Sequence, residues 1–130
     1  MIYLDSSALV KLAIAERESA GLLSWLAGQP NLVQVSSSVI RVEVPRAVWR
    51  AEPSALPEGY LVIRRTAEIE LTGEVLGHAA RARPVSLGAL DSIHLASALV
   101  LRRELTSFVS YDQRLLGAAR DAGLPTASPA

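Results

Sequence analysis

Asp5, Glu43, Asp91 and Asp112 are the residues whose types and positions best suit them to chemistry. Asp5 follows the short β-type run Ile2-Tyr3-Leu4, and Asp112 follows Phe108-Val109-Ser110-Tyr111. Both should stand at the carboxyl ends of strands, the edge where open parallel sheets bind ligands. Asp91 opens an apolar helix and Glu43 lies within another. If those helices reach the same edge, four carboxylates converge. Like charges at close range disfavour ionisation of one another, and a hard cation relieves that repulsion. An oxygen-only set without histidine or cysteine suits Mg²⁺ or Mn²⁺. A carboxylate-held pair of such ions can activate water and stabilise the oxygen that leaves a phosphodiester.

Each acid also has an ordinary structural reading. Aspartate before a helix is a good N-cap, which would account for Asp5, Asp91 and Asp112 one at a time. Glu43 could pair with Arg46 or Arg50, which return to its helix face at offsets of three and seven. The same two arginines could instead hold RNA phosphate beside the acids. Ser7 and Ser110 are unremarkable alone as cap or strand residues. His94, one turn after Asp91, reads as a neutral histidine against the sheet, because two-metal chemistry needs no side-chain base. Trp25 and Trp49 read as core or interface anchors, and Lys11 as solvent-exposed.

The elements that must position these groups alternate between strands and helices. After the first strand, Ser6-Ser7-Ala8 leads into a helix start. A helix is expected over residues 16–28, a strand over 32–35 and a helix over 39–51 kinked at Pro45. Ser36-Ser37-Ser38 reads as the N-cap cluster of that helix. Residues 52–59 read as a loop, 61–63 as a third strand and 67–83 as an amphipathic helix. A strongly apolar helix from Gly88, a strand over 106–110, a helix over 112–122 and an extended end complete the series. This alternation predicts a three-layer α/β/α sandwich with a central parallel sheet.

Composition bounds the function. At 130 residues, half apolar and a fifth charged, the chain is the size of a single domain, residues 1–130, with a substantial core. There is no cysteine, so disulfides, zinc ribbons, iron–sulfur clusters and thiol catalysis are excluded. Thirteen basic and thirteen acidic residues balance, so any hold on nucleic acid must come from local clustering. Asp5 and Lys11 interrupt the first apolar stretch, unlike a signal peptide. No run approaches the roughly 20 apolar residues of a membrane helix. The expectation is a soluble cytoplasmic protein.

The wording around the acids resembles a known family. Residues 2–11, Ile-Tyr-Leu-Asp-Ser-Ser-Ala-Leu-Val-Lys, are similar to the opening of PIN-domain proteins. Val42-Glu43-Val44-Pro45-Arg46-Ala47 is similar to that family's internal glutamate motif. Leu90-Asp91-Ser92-Ile93-His94-Leu95-Ala96 and Phe108-Val109-Ser110-Tyr111-Asp112-Gln113-Arg114-Leu115 resemble its third and fourth motifs. The four occur in family order, and the compact length points to the VapC-type toxin ribonucleases of bacterial toxin–antitoxin pairs. The resemblance implies that Asp5, Glu43, Asp91 and Asp112 form the catalytic metal site, supported by the hydroxyls of Ser7 and Ser110. It further implies Mg²⁺- or Mn²⁺-dependent cleavage of single-stranded or looped RNA, a homodimer, and neutralisation by a small VapB-type antitoxin. Serine stands at position 110 where threonine is frequent, which keeps the hydroxyl.

Rival α/β functions fail on residues. A haloacid-dehalogenase-like phosphatase needs an aspartate at position 7, which is serine. A receiver domain needs a late lysine, and the only lysine is Lys11. A dinucleotide site or P-loop needs a glycine-rich first turn, and Asp5-Ser6-Ser7-Ala8 has none. The remaining alternative is a catalytically silent PIN-like module that binds RNA or a partner protein. Retention of all four acids argues against it, since binding alone has no need of converging negative charge.

Overall fold

The computed structural model describes residues 1–130. Its central strand, β1 (Ile2–Leu4), is buried on both faces. Successive strand side chains point to opposite sides, so Ile2 and Leu4 enter one apolar cluster and Tyr3 the other. Four more strands join it: β2 (Gln34–Ser37), β3 (Ala67–Ile69), β4 (Ser107–Val109) and β5 (Thr126–Ala127). The order is β3-β2-β1-β4-β5, and every pair is parallel. The chain builds outward from β1 to β3, then crosses back to add β4 and β5. The direction of winding therefore reverses between β1 and β4, the place where doubly wound sheets open a ligand crevice.

Helices cover both faces, as the alternation predicts. On the Ile2 and Leu4 side lie α1 (Ser6–Ala13), α2 (Ser19–Ala27), α3 (Ile40–Ala51) and α4 (Leu56–Arg64). Leu9, Leu22, Ile40, Val44, Val48 and Ile63 bury themselves there. Helices this short are marginal alone. Burial of one such side chain, worth roughly 1.5–3 kcal/mol, outweighs propensity. On the Tyr3 side lie α6 (Ala89–Val100) and α7 (Gln113–Asp121). The intervening α5 (Gly73–Ala80) rests on α6, with Val75 and Ala79 against Ala96.

The middle of the chain departs from expectation. Residues 52–59 are not a loop and 61–63 are not a strand. A 3₁₀ turn at Pro53–Ala55 leads into α4, which takes in residues 56–59 and 61–63. Its buried Gly59 and Ile63 are one helical turn apart, and a Cβ on Gly59 would lie 3.4 Å from the Val48 side chain. Packing on α3 thus overrides the β-branched run Val62-Ile63. The real third strand, β3, occupies the start of the expected 67–83 helix. That helix begins only at Gly73, where the Thr72 hydroxyl caps the Val75 amide.

Smaller corrections follow. The second helix starts at Ser19, three residues late, and β2 lies two residues later than 32–35. Ser36 and Ser37 therefore belong to β2 and do not form an N-cap cluster, although the Ser37 hydroxyl accepts from the Val39 amide. Pro45 sits buried inside a single helix, α3. Trp25 is half-buried against the α1–α4 cluster, whereas Trp49 is 61% exposed. Lys11 is not in solvent: its side chain is 11% exposed, 2.8 Å from Glu18 and 3.6 Å from Glu16. Its ammonium also lies 4.7 Å from the centre of the Tyr111 ring.

Candidate active site

Asp5 leaves β1 and becomes the N-cap of α1. Its Oδ1 accepts the Ala8 amide at 3.0 Å and the Ser7 hydroxyl at 2.6 Å, and its Oδ2 accepts the Ser110 hydroxyl at 2.5 Å. The residue is 3% exposed. Burial pushes its carboxyl above the ordinary range, against the pull of nearby His94 and of these hydrogen bonds. Both serines have a second task. The Ser7 hydroxyl accepts the Tyr111 amide and the Ser110 hydroxyl accepts the Asp112 amide, each at 3.0 Å. They stitch the end of β1 to the end of β4.

Asp112 caps α7, with Oδ1 accepting the Arg114 and Leu115 amides at 2.9 and 3.2 Å. Asp91 behaves differently. Gly88 is the N-cap residue of α6, and Asp91 lies inside the first turn. Its carboxylate makes no cap bond, so the capping expectation fails at this position. Burial raises its carboxyl first, and the charge of Asp112 adds to that. His94 opposes the rise, while Asp5 and Glu43 contribute further to it. The charges of all three other acids thus raise the Asp91 carboxyl, and Ser110 ties Asp5 to the Asp112 amide at the β1–β4 crevice.

Glu43 reaches this neighbourhood from α3. Its Oε2 accepts the Ser6 hydroxyl at 3.3 Å, and its Oε1 lies 2.7 Å from His94 Nε2. His94 Nδ1 is 2.7 Å from the Tyr3 hydroxyl, which also accepts the Ser37 amide at 3.1 Å. Tyr3 is fully buried and stacks on Phe108, with ring centres 5.1 Å apart. Burial raises the phenol far above its usual value, so it keeps its proton. The hydroxyls of Ser36 and Ser97 also face it, and neither has a well-formed partner.

Arg46 and Arg50 are exposed on α3, and neither pairs with Glu43. The intrahelical ion pairs are therefore absent. No arginine or lysine forms a salt bridge with any of the four acids. The sequence reading missed Ser6, Tyr3 and the His94–Glu43 contact. A histidine on an otherwise apolar helix was the available signal.

The donors fit a hard divalent cation: carboxylate and hydroxyl oxygens carrying negative charge that no arginine or lysine offsets. No three acidic or imidazole groups close into one compact cage.

A PIN-domain family model matches residues 2–121. Ribonuclease VapC47 of Mycobacterium tuberculosis (strain CDC 1551 / Oshkosh) is 42% identical, over 99% of this chain and 97% of its own. Ribonuclease VapC35 of the same strain is 37% identical over the same shares. Among solved structures, M. tuberculosis VapC20, described as a toxin that cleaves the sarcin–ricin loop, superposes with a TM-score of 0.73 at 16% identity. The match covers 99% of this chain and 100% of that one. VapBC2 of Rickettsia felis, solved bound to a promoter DNA fragment, gives 0.75 at 14% identity over 100% of both chains. At those identities the likeness shows the fold. From full-length sequence kinship, a parallel sheet wound about β1 and four acids gathered at its crevice, the chain belongs to the PIN-domain family, in its VapC branch.

Proposed function

We propose that this chain is a metal-dependent endoribonuclease, the toxin of a type II toxin–antitoxin pair, and that residues 1–130 act as one PIN domain in the cytoplasm. The observation that carries the reading is the set of four carboxylates at the β1–β4 crevice with no arginine or lysine paired to them. Asp5, Glu43, Asp91 and Asp112 hold the ions, Mg²⁺ or Mn²⁺. Bound there as a pair, such ions supply Lewis acidity that activates water and stabilises the departing oxygen. Ser7 and Ser110 fix both oxygens of Asp5, so that carboxylate is oriented before RNA arrives. Asp112 spends only Oδ1 on its helix cap, which leaves Oδ2 for the site. Arg46 and Arg50, free of Glu43, are candidates for the RNA phosphates.

The partners we propose are a second copy of the chain and a VapB-type antitoxin. An apolar groove of about 590 Å³ offers that antitoxin a seat. It is lined by Leu12, Leu23, Leu26, Leu32 and Val62, from α1, α2, α4 and the approach to β2. An amphipathic segment fits such a groove. The residues around Trp49 on α3, expected to contribute, take no part in it.

The test is cleavage of structured RNA by purified protein. Cutting should require Mg²⁺ or Mn²⁺, stop with chelator and leave a 5′-phosphate and a 3′-hydroxyl. Asp5→Asn should abolish it. Cleavage that survives chelator, or a 2′,3′-cyclic phosphate product, overturns the mechanism. A folded protein that binds RNA and never cuts it is the silent module instead.

A further inference from the structure

We propose that His94 is a positioning residue, holding the Glu43 carboxylate in the orientation the acidic site uses, with Tyr3 fixing the imidazole from behind. The inference rests on the site reading above and extends it to two residues outside the acidic set. Glutamate on a helix turns about three side-chain bonds, and immobilising it costs rotamer entropy that a contact must offset. The Ser6 contact at 3.3 Å is too long to do this alone. The His94 contact at 2.7 Å is short, and a hydrogen bond to a carboxylate is of the stronger kind.

The imidazole is itself immobile. His94 is 1% exposed, and both ring nitrogens are engaged by protein groups. Neither is presented to a substrate, which separates positioning from general-base chemistry. The direction of the contact is set by the Glu43 carboxylate, whose oxygens only accept. Nε2 therefore donates to Glu43, and Nδ1 of a singly protonated ring accepts the Tyr3 O–H, whose oxygen takes the Ser37 N–H. An imidazole protonated at both nitrogens would also donate from Nε2. The bond to Glu43 therefore points the same way in either state. A chain of contacts runs from β2 through β1 and α6 to an acid on α3, so three elements that meet only in the folded protein set one carboxylate.

The test uses the metal-free chain first. Nitrogen-15 spectra in chelator should show His94 protonated at Nε2, with the exposed His78 as internal reference, assigned by its absence in His78→Gln. Titration calorimetry without RNA then measures Mn²⁺ binding. His94→Ala should weaken it by roughly 10–100-fold, the usual cost of removing a ligand's hydrogen-bond partner. His94→Gln, whose amide N–H can replace Nε2–H, should recover most of that loss. Tyr3→Phe should weaken binding by less than His94→Ala and give mixed imidazole tautomers. A wild-type His94 protonated at Nδ1 alone overturns the proposal. So does wild-type Mn²⁺ affinity in folded His94→Ala, or a glutamine variant no better than alanine. Should His94→Ala fail to fold, wild-type affinity in Tyr3→Phe counts against it equally. A wild-type chain that neither binds Mn²⁺ nor cuts RNA defeats the functional reading, and the metal-free spectrum still decides the hydrogen bond.

Discussion

At the ends of β1 and β4, Asp5 and Asp112 are fastened by backbone amides and serine hydroxyls. Across the crevice, Glu43 leans on one imidazole and one distant hydroxyl, and Asp91 on nothing. The strand-end acids have a folding task, capping α1 and α7, that coexists with a place in the site. The helix-borne acids have no such task. At Asp91, burial and the neighbouring acids make the charge costly until a cation or a proton relieves it. Capping and ligation are thus joint roles on one side and separable on the other.

Catalysis should show the largest effects and ignore this division. Asp5→Asn and Asp91→Asn should each reduce RNA cleavage by more than the roughly 10–100-fold expected for an outer hydrogen-bond partner, measured under single-turnover conditions with Mn²⁺. Near-normal cleavage in either variant removes that acid from the site.

Stability should expose the division. Ser110→Ala strips a buried carboxylate of one donor and the Asp112 amide of its acceptor, so a denaturant melt should lose about 1–3 kcal/mol. Asp112→Ala should lose about 1 kcal/mol as a cap. Asp91→Asn, in chelator, should be as stable as wild type or more so, because it removes repulsion and breaks no cap bond. A clear loss in chelator for Asp91→Asn erases the contrast. The same variant should gain less stability from Mn²⁺, since ligand-linked stabilisation follows affinity.

Acidity sharpens the contrast further. The fold raises the carboxyl of Asp91, as it does that of Asp5, so the folded chain binds these protons more tightly than the unfolded one. Their contribution is fully present below the ordinary aspartate value near 3.8 and is lost as pH rises through the raised values. In chelator, the midpoint of a thermal melt should therefore climb on mild acidification toward that value. Glu18 acts in the opposite sense, because Lys11 holds its carboxyl below the usual range. Comparison with Asp91→Asn isolates the site, and the variant should climb less. An identical climb would show that Asp91 takes no part in it. The smallest effect concerns RNA: Arg46→Ala or Arg50→Ala should each flatten the salt dependence of binding by about one unit of slope, if each holds one phosphate. Unchanged slopes place both outside the RNA path.

The legible parts of this protein were the local ones. A short strand followed by aspartate and a helix start is written in consecutive residues, so the surroundings of Asp5 and Asp112 could be read directly. Residues 52–69 could not. Val62 and Ile63 carry strand propensity, and what makes them helical is the packing of Gly59 and Ile63 against α3, a contact absent from any local window. His94 and Glu43 stand 51 residues apart. Each looked ordinary on its own helix, and only the sheet between those helices brings them into register. Asp91 misled in the reverse direction, since its position before an apolar run mimicked a cap that Gly88 occupies.

Lys11 lies in the same strand-to-helix half, between Glu18, Glu16 and the Tyr111 ring. It is the only lysine in the sequence, and its ammonium is sheltered. An acylating reagent applied to the native protein therefore finds no exposed lysine. It reaches Lys11 only when the junction of α1 and α2 opens, an event with its own free energy, distinct from global unfolding. The rate of that labelling, read by peptide mass, makes the junction a clock for local opening that needs no engineered probe.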